Sequence, residues 1–294
     1  MKKELLIASA LVSTMGAASV ANAVTATTSG SHHTGLRGVD TDATTSDTIS
    51  HVVASSFSVS LSETTDGGVG IASSFMNEFD ELAKELSMNW NINDLNKKMK
   101  TLIAVSKEGH CLNDLLYRTK YKDMPIDIVG VVSNHETFRE IVEFNGYKFH
   151  YLPIKDNKQK QEEEFHEIAI QSGTELIVLA RYMQILSQDF VSKWSNNCIN
   201  IHHSFLPSFK GSRPYHQAYD KGVKIIGATA HYVTEDLDEG PIIEQDVERV
   251  NHRDTTADMT RKGNTIESNV LAKAVRWHAE KKILLNGPKT IVFS

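Results

Sequence analysis

Apolar positions along the chain change period several times, and each change marks an element. Phe75, Phe79, Leu82, Ala83 and Leu86 recur at helical spacing, which predicts an amphipathic helix of about four turns over Phe75–Trp90. Asn91–Lys100 reads as a polar linker. From there, short apolar runs alternate with amphipathic stretches. The runs Thr101–Val105, Ile126–Val132, Lys148–Leu152, Glu175–Ala180 and Cys198–His202 predict strands. Between them, a segment opening near His110, then His135–Phe144, Gln159–Gln171 and Leu186–Trp194, predict helices. Such alternation predicts an α/β fold with a mostly parallel, Rossmann-like sheet and helices on both faces. The strands Lys224–Thr234 and Ile242–Val250 have no long helix between them, so they are expected to pair antiparallel. Thr255–Lys282 reads as a long helix and Thr290–Phe293 as a last strand, and no internal repeat is visible.

The pattern fails before Phe75. Of the 52 residues from Val24 to Phe75, 21 are Ser or Thr, and no lysine occurs between Lys3 and Lys84. That composition predicts a low-complexity, disordered segment over 24–72. Residues 1–23 resemble a secretory leader, with Lys2 and Lys3, then apolar Leu5–Val12, then Ala21-Asn22-Ala23 at the cleavage positions. The expected organisation is therefore a leader at 1–23, the Ser/Thr-rich segment at 24–72, a helix and linker at 73–100, and a catalytic domain at 101–294. The 294 residues as a whole have a globular composition, 40% hydrophobic and 23% charged, with a net charge of −6. No basic field points to nucleic acid, and the apolar run at the N-terminus is short for a membrane span. Cys111 and Cys198 are too few for a disulfide scaffold and suit a reducing compartment.

In an open α/β sheet the chemistry sits at the carboxyl ends of strands, and three such ends are unusually polar. The first is Asn200-Ile201-His202-His203-Ser204. Alternation on a strand puts Asn200 and His202 on one face, where an amide and an imidazole can polarise one carbonyl oxygen. The competing reading is a structural Asn beside an ordinary His. The second is Thr234-Glu235-Asp236-Leu237-Asp238-Glu239-Gly240-Pro241, whose crowded carboxylates should raise at least one pKa. It reads either as a proton shuttle or as an exposed acidic turn, and its spacing does not fit an EF-hand. The third is Leu179-Ala180-Arg181-Tyr182-Met183-Gln184-Ile185-Leu186, which suits either a flat heterocycle or a capped core loop. His202, His203, His216 and His231 lack zinc-site spacing, and the adjacent His202 and His203 should point apart on a strand. Cys111 beside His110 ranks low as a nucleophile, and no phosphate-cradling glycine motif is present.

Asn200-Ile201-His202-His203-Ser204-Phe205-Leu206-Pro207-Ser208-Phe209, and His231-Tyr232-Val233-Thr234 leading into Leu237-Asp238-Glu239-Gly240-Pro241-Ile242-Ile243, resemble the formyltetrahydrofolate hydrolase/formyltransferase fold family. Lys107-Glu108-Gly109-His110-Cys111-Leu112, Ser133-Asn134-His135 and the 211–219 stretch bring the chain nearest to its deformylase members. The likeness runs from about Phe75 to the C-terminus. It implies hydrolysis of 10-formyltetrahydrofolate to formate and tetrahydrofolate, supplying formate for purine biosynthesis. It carries the family's catalytic Asn, His and Asp onto Asn200, His202 and Asp238. It also implies a pterin against Met183, Gln184, Ile185 and Leu186 and against Thr234, Glu235, Asp236 and Leu237. No metal, nucleotide or other cofactor is implied. The expected partner is the folate substrate, with no nucleic acid or membrane, and a homo-oligomer is allowed. Two alternatives stand beside hydrolysis: a glycinamide ribonucleotide-type formyltransferase, and a non-catalytic folate-binding fusion product. The family's small N-terminal sensing domain is represented here only by the 75–90 helix. Reduced folates are intracellular in the family's role, so a cytoplasmic location is expected, with export the alternative from residues 1–23.

Overall fold

The computed structural model describes residues 25–36, 51–62, 80–81, 83–85, 89–94, 97–122, 124–153, 157–205 and 214–293. The leader-like residues 1–23 lie outside the described residues. The chain divides into two compact units, Met1–Lys97 and Lys98–Ser294.

In the first unit, β1 (Thr25–Leu36) and β2 (His51–Ser62) pair antiparallel in unbroken register. Strand β3 (Asn89–Asp94) joins β2 in parallel. Two of these strands fall inside the Ser/Thr-rich segment. Residues 80–81 and 83–85 are helical, and Lys84 Nζ lies 2.6 Å from Asp80 Oδ2 one turn away. Phe75, Phe79 and Leu82 are outside the described residues. Trp90 belongs to β3 and not to that helix, and Asn91–Asp94 are extended, not linker. Trp90 and Ile92 alternate with asparagines, so period 2 prevails there over the helical period.

The second unit is built on a seven-stranded sheet. Its strands are β4 (Met99–Val105), β5 (Ile126–Ser133), β6 (Phe149–Tyr151), β7 (Leu176–Leu179), β8 (Cys198–His202), β9 (Ile225–Tyr232) and β10 (Ile242–Arg249). The order is β10-β9-β8-β7-β4-β5-β6. Strands β4 to β8 run parallel, while β8–β9 and β9–β10 pair antiparallel. The helices are α1 (His110–Tyr121), α2 (Arg139–Phe144), α3 (Lys158–Gln171), α4 (Gln188–Lys193), α5 (Pro214–Asp220) and α6 (Thr256–Ala279). A final hairpin, β11 (Ile283–Asn286) and β12 (Lys289–Val292), stands as its own small sheet. The sequence pattern missed α5 and β11, each too short to set up a period.

Two apolar clusters cover the two sheet faces, as a doubly covered sheet requires. Ile103 and Val105 of β4 point into one with Leu112 and Leu115 of α1 and Val270 and Leu271 of α6. Leu102 and Ala104 point into the other with Phe165 of α3 and Phe190 of α4. Both cysteines are free and buried. The chain proceeds outward from β4 through β5 and β6, then returns to the other side of β4 with β7, β8, β9 and β10. The loops after β4 and β7 therefore diverge, which opens a crevice at the carboxyl ends of these strands.

Candidate active site

Register between β8 and β9 assembles the site. Asn200 lies opposite His231, so the two side chains share a sheet face. Asn200 Nδ2 is 3.3 Å from His231 Nε2. The His231 Nδ1–H donates to the Tyr232 carbonyl oxygen at 2.9 Å, which fixes the tautomer of the neutral ring and leaves Nε2 to accept from the Asn200 amide. Val233 N–H donates to the Cys198 carbonyl at the start of β8, and the following loop doubles back along the β8–β9 pair. At its tip Asp238 takes a left-handed conformation, φ 59°, which Asp tolerates better than most residues. Asp238 Oδ2 lies 3.2 Å from His202 Nδ1, and Oδ1 lies 3.6 Å from His231 Nε2. Gly240 makes the loop's return possible, because a Cβ there would overlap the Tyr232 carbonyl oxygen.

The acidic loop does not behave as crowding predicts. The hydrogen bond from His202 outweighs burial and holds the Asp238 carboxyl well below the usual range, so it is ionised at neutral pH. His202 and His203 also depart from expectation. Strand β8 ends at His202, and the chain bends at His203, so their rings lie 5.0 Å apart instead of on opposite faces. Burial, then the charges of Arg181 and His202, push His203 down to about 4 and keep it neutral.

These groups open onto a cleft of about 650 Å³. Asn200, His202, His231 and Asp238 line it together with Met183, Gln184, Ile185 and Leu186 on one wall and Thr234, Glu235, Asp236 and Leu237 on another. The structure thus brings every sequence-predicted site residue to one cavity. The first wall is fixed by Ser106 after β4. Its N–H donates to the Arg181 carbonyl at 3.1 Å, and its Oγ accepts the Met183 N–H at 2.9 Å. Buried Asn134 in turn accepts the Ser106 hydroxyl at 2.7 Å. Glu162 of α3 closes the other end by accepting the Ser187 N–H at 2.9 Å.

Sequence reasoning named His231 among unsupported zinc ligands and in the stretch that carries the family resemblance, but gave it no role. The signal that could have found it was its place on β9, opposite a polar residue of β8. It also missed a buried network beside the cleft. Glu267 of α6, with 0% exposure, accepts from His110 Nε2 at 2.8 Å and from the Tyr215 hydroxyl at 2.6 Å, and pairs with Arg181 Nε at 3.3 Å. Burial pushes its carboxyl up, but His110, Arg181 and Tyr215 together leave it below its ordinary value. His110, Cys111 and Glu267 place metal-ligating atoms within 4.8 Å of one another. The Arg181 cation on that carboxylate opposes a second cation there. Burial, reinforced by the Glu267 charge, drives the Cys111 thiol far up, so it stays protonated.

A hydrogen-bonding amide, two imidazoles and an ionised carboxylate converging on an open cleft can polarise a carbonyl and activate water against it. Comparison with known proteins points the same way. A sequence profile of the family described as Formyl transferase matches residues 99–275. The chain is 48% identical over 228 residues to the formyltetrahydrofolate deformylase of Corynebacterium sp. (strain P-1), covering 77% of this chain and 80% of that one. It is similar to the crystal structure of formyltetrahydrofolate deformylase from Burkholderia mallei, with TM-score 0.72, 48% identity, and coverage of 76% of this chain and 80% of that one. It is also similar, at TM-score 0.65 and 26% identity over 69% of this chain and 98% of the other, to glycinamide ribonucleotide transformylase 1 from Symbiobacterium toebii. The chain belongs to the formyl transferase family, among its formyltetrahydrofolate deformylases.

Proposed function

We propose that this chain hydrolyses 10-formyltetrahydrofolate to formate and tetrahydrofolate through Asn200, His202 and Asp238. The observation that carries the reading is the ionised Asp238 held against His202 and His231 in the cleft that Asn200 also lines. The pterin lies along Met183–Leu186 and Thr234–Leu237, which sets the formyl group against the β8 end. Asn200 gives one N–H to His231 and has the other free for the formyl oxygen. A protonated His202, with Nδ1–H on Asp238, has Nε2–H for the same oxygen. Both bonds strengthen as that oxygen becomes the oxyanion of the tetrahedral intermediate.

Asp238 takes a proton from water as the water oxygen attacks the formyl carbon. That proton then goes to N10 as the C–N10 bond breaks. Water is the nucleophile and a carboxylate the base, so the reading requires no metal, nucleotide or other cofactor. It includes a cytoplasmic setting, where reduced folates are held, formate supply to purine synthesis, and a folate but neither nucleic acid nor membrane as partner. A homo-oligomer is compatible with it. Among the described residues no helix is long and apolar enough to cross a membrane.

The test is formate release from 10-formyltetrahydrofolate with no added acceptor or metal. Asp238→Asn should lower kcat by about 10²–10⁴-fold while folate affinity stays close to that of the parent. Near-normal turnover of that variant refutes the role given to Asp238.

A further inference from the structure

One carboxylate stands between two cavities. Arg181 lines the cleft, and His110 lines a second, polar groove of about 520 Å³ together with Asp114, Asn264 and Ser268. Arg181 Nε and His110 Nε2 meet on the same oxygen, Glu267 Oε2, at 3.3 and 2.8 Å. Tyr215 occupies the other oxygen. Arg181 is held at φ 64°, a left-handed conformation that an L-residue of its size seldom adopts. The two Ser106 hydrogen bonds around it enforce that conformation. Backbone strain kept at the edge of a reaction site points to a side chain with a task there.

The task follows from the choice of acceptor. A formyl group at Asn200, His202 and Asp238 is open to attack by water or by an amine, and this fold is shared with a glycinamide ribonucleotide transformylase. The folate fills the cleft, so an amine acceptor needs a second approach to the formyl carbon. The polar groove offers one, and Glu267 is the anion that would hold an incoming ammonium. Here its Oε2 is already occupied by Arg181 and His110. We propose that the Arg181–Glu267–His110 partition shuts the groove off from the reacting carbon and makes water the only acceptor. This rests on the triad reading above and goes beyond it by naming what sets acceptor specificity. The transfer so prevented is balanced without any further reactant. An amine nitrogen bonds to the formyl carbon, the C–N10 bond breaks, and the proton lost by the amine goes to N10, giving a formamide and tetrahydrofolate.

The experiment uses the full chain with 10-formyltetrahydrofolate and glycinamide as the probe amine. Formate and N-formylglycinamide are quantified by mass spectrometry against an enzyme-free blank. Arg181→Gly suits the left-handed backbone and removes the guanidinium. Its ratio of N-formylglycinamide to formate should exceed the parent's at least tenfold. An unchanged ratio in a variant that still releases formate overturns the partition alone. If the unpaired Glu267 prevents folding, His110→Ala carries the same comparison, because it frees Glu267 Oε2 on the groove side while Arg181 stays on that oxygen. A parent chain that releases no formate overturns the triad reading and this proposal with it.

Discussion

Asp238 shows how strongly one residue's environment can reverse an argument from charge. Four acids in a short loop predict repulsion and a raised carboxyl, yet its contact with His202 lowers it. The consequence for stability has a definite sign. A folded-state value below the unfolded value of about 3.9 gives stabilisation that is present above about pH 4 and is lost as pH falls through the folded value. The melting temperature of Asp238→Asn should therefore lie below the parent's at pH 6, and the gap should close as pH drops below about 4. A gap that widens in acid would show that His202 does not hold the carboxylate. The same contact keeps Asp238 ionised in the free protein, as its proposed use on water requires.

Helix α6 is the element on which the buried network depends. Gly263 sits on it without a side chain because Tyr215 of α5 packs against that spot on its way to Glu267, and a Cβ would overlap the Tyr215 ring and hydroxyl. Gly263→Ala should lower stability by about 1–3 kcal/mol through overpacking, although alanine is the better helix former. In a Tyr215→Ala background the same change should be neutral or stabilising, since only the propensity gain of about 1 kcal/mol remains. Thermal unfolding of the four variants separates the two terms. This helix also shows where legibility in the sequence stops. Its length follows from the apolar period, and β4, β5 and β7 are legible because their buried runs leave no other reading. Asn200 and His202 are legible from alternation on one strand. Glu267 is not, because its partners lie 52, 86 and 157 residues away and nothing local marks it. His231 depends on β8–β9 register, which no single segment encodes.

At the scale of the molecule, catalysis and recognition are assigned to different kinds of structure. The proposed triad stands on or beside strands whose backbones are locked in the sheet, while the walls proposed for the pterin are loops held at a few points by Ser106, Asn134 and Glu162. Those walls leave Met183 at 56%, and Ile185 and Leu237 each at 62% exposure. Water must leave these side chains when a flat heterocycle settles between them. Calorimetric titration with a folate should accordingly show a negative heat-capacity change, on the order of 0.1 kcal/mol/K for roughly 200 Å² of apolar surface. A zero or positive value would mean that the ring binds elsewhere. Because that dewetting drive weakens on cooling, the apolar share of the protein's hold on its substrate should fade in the cold, while the charged groups that break the bond stay as they are.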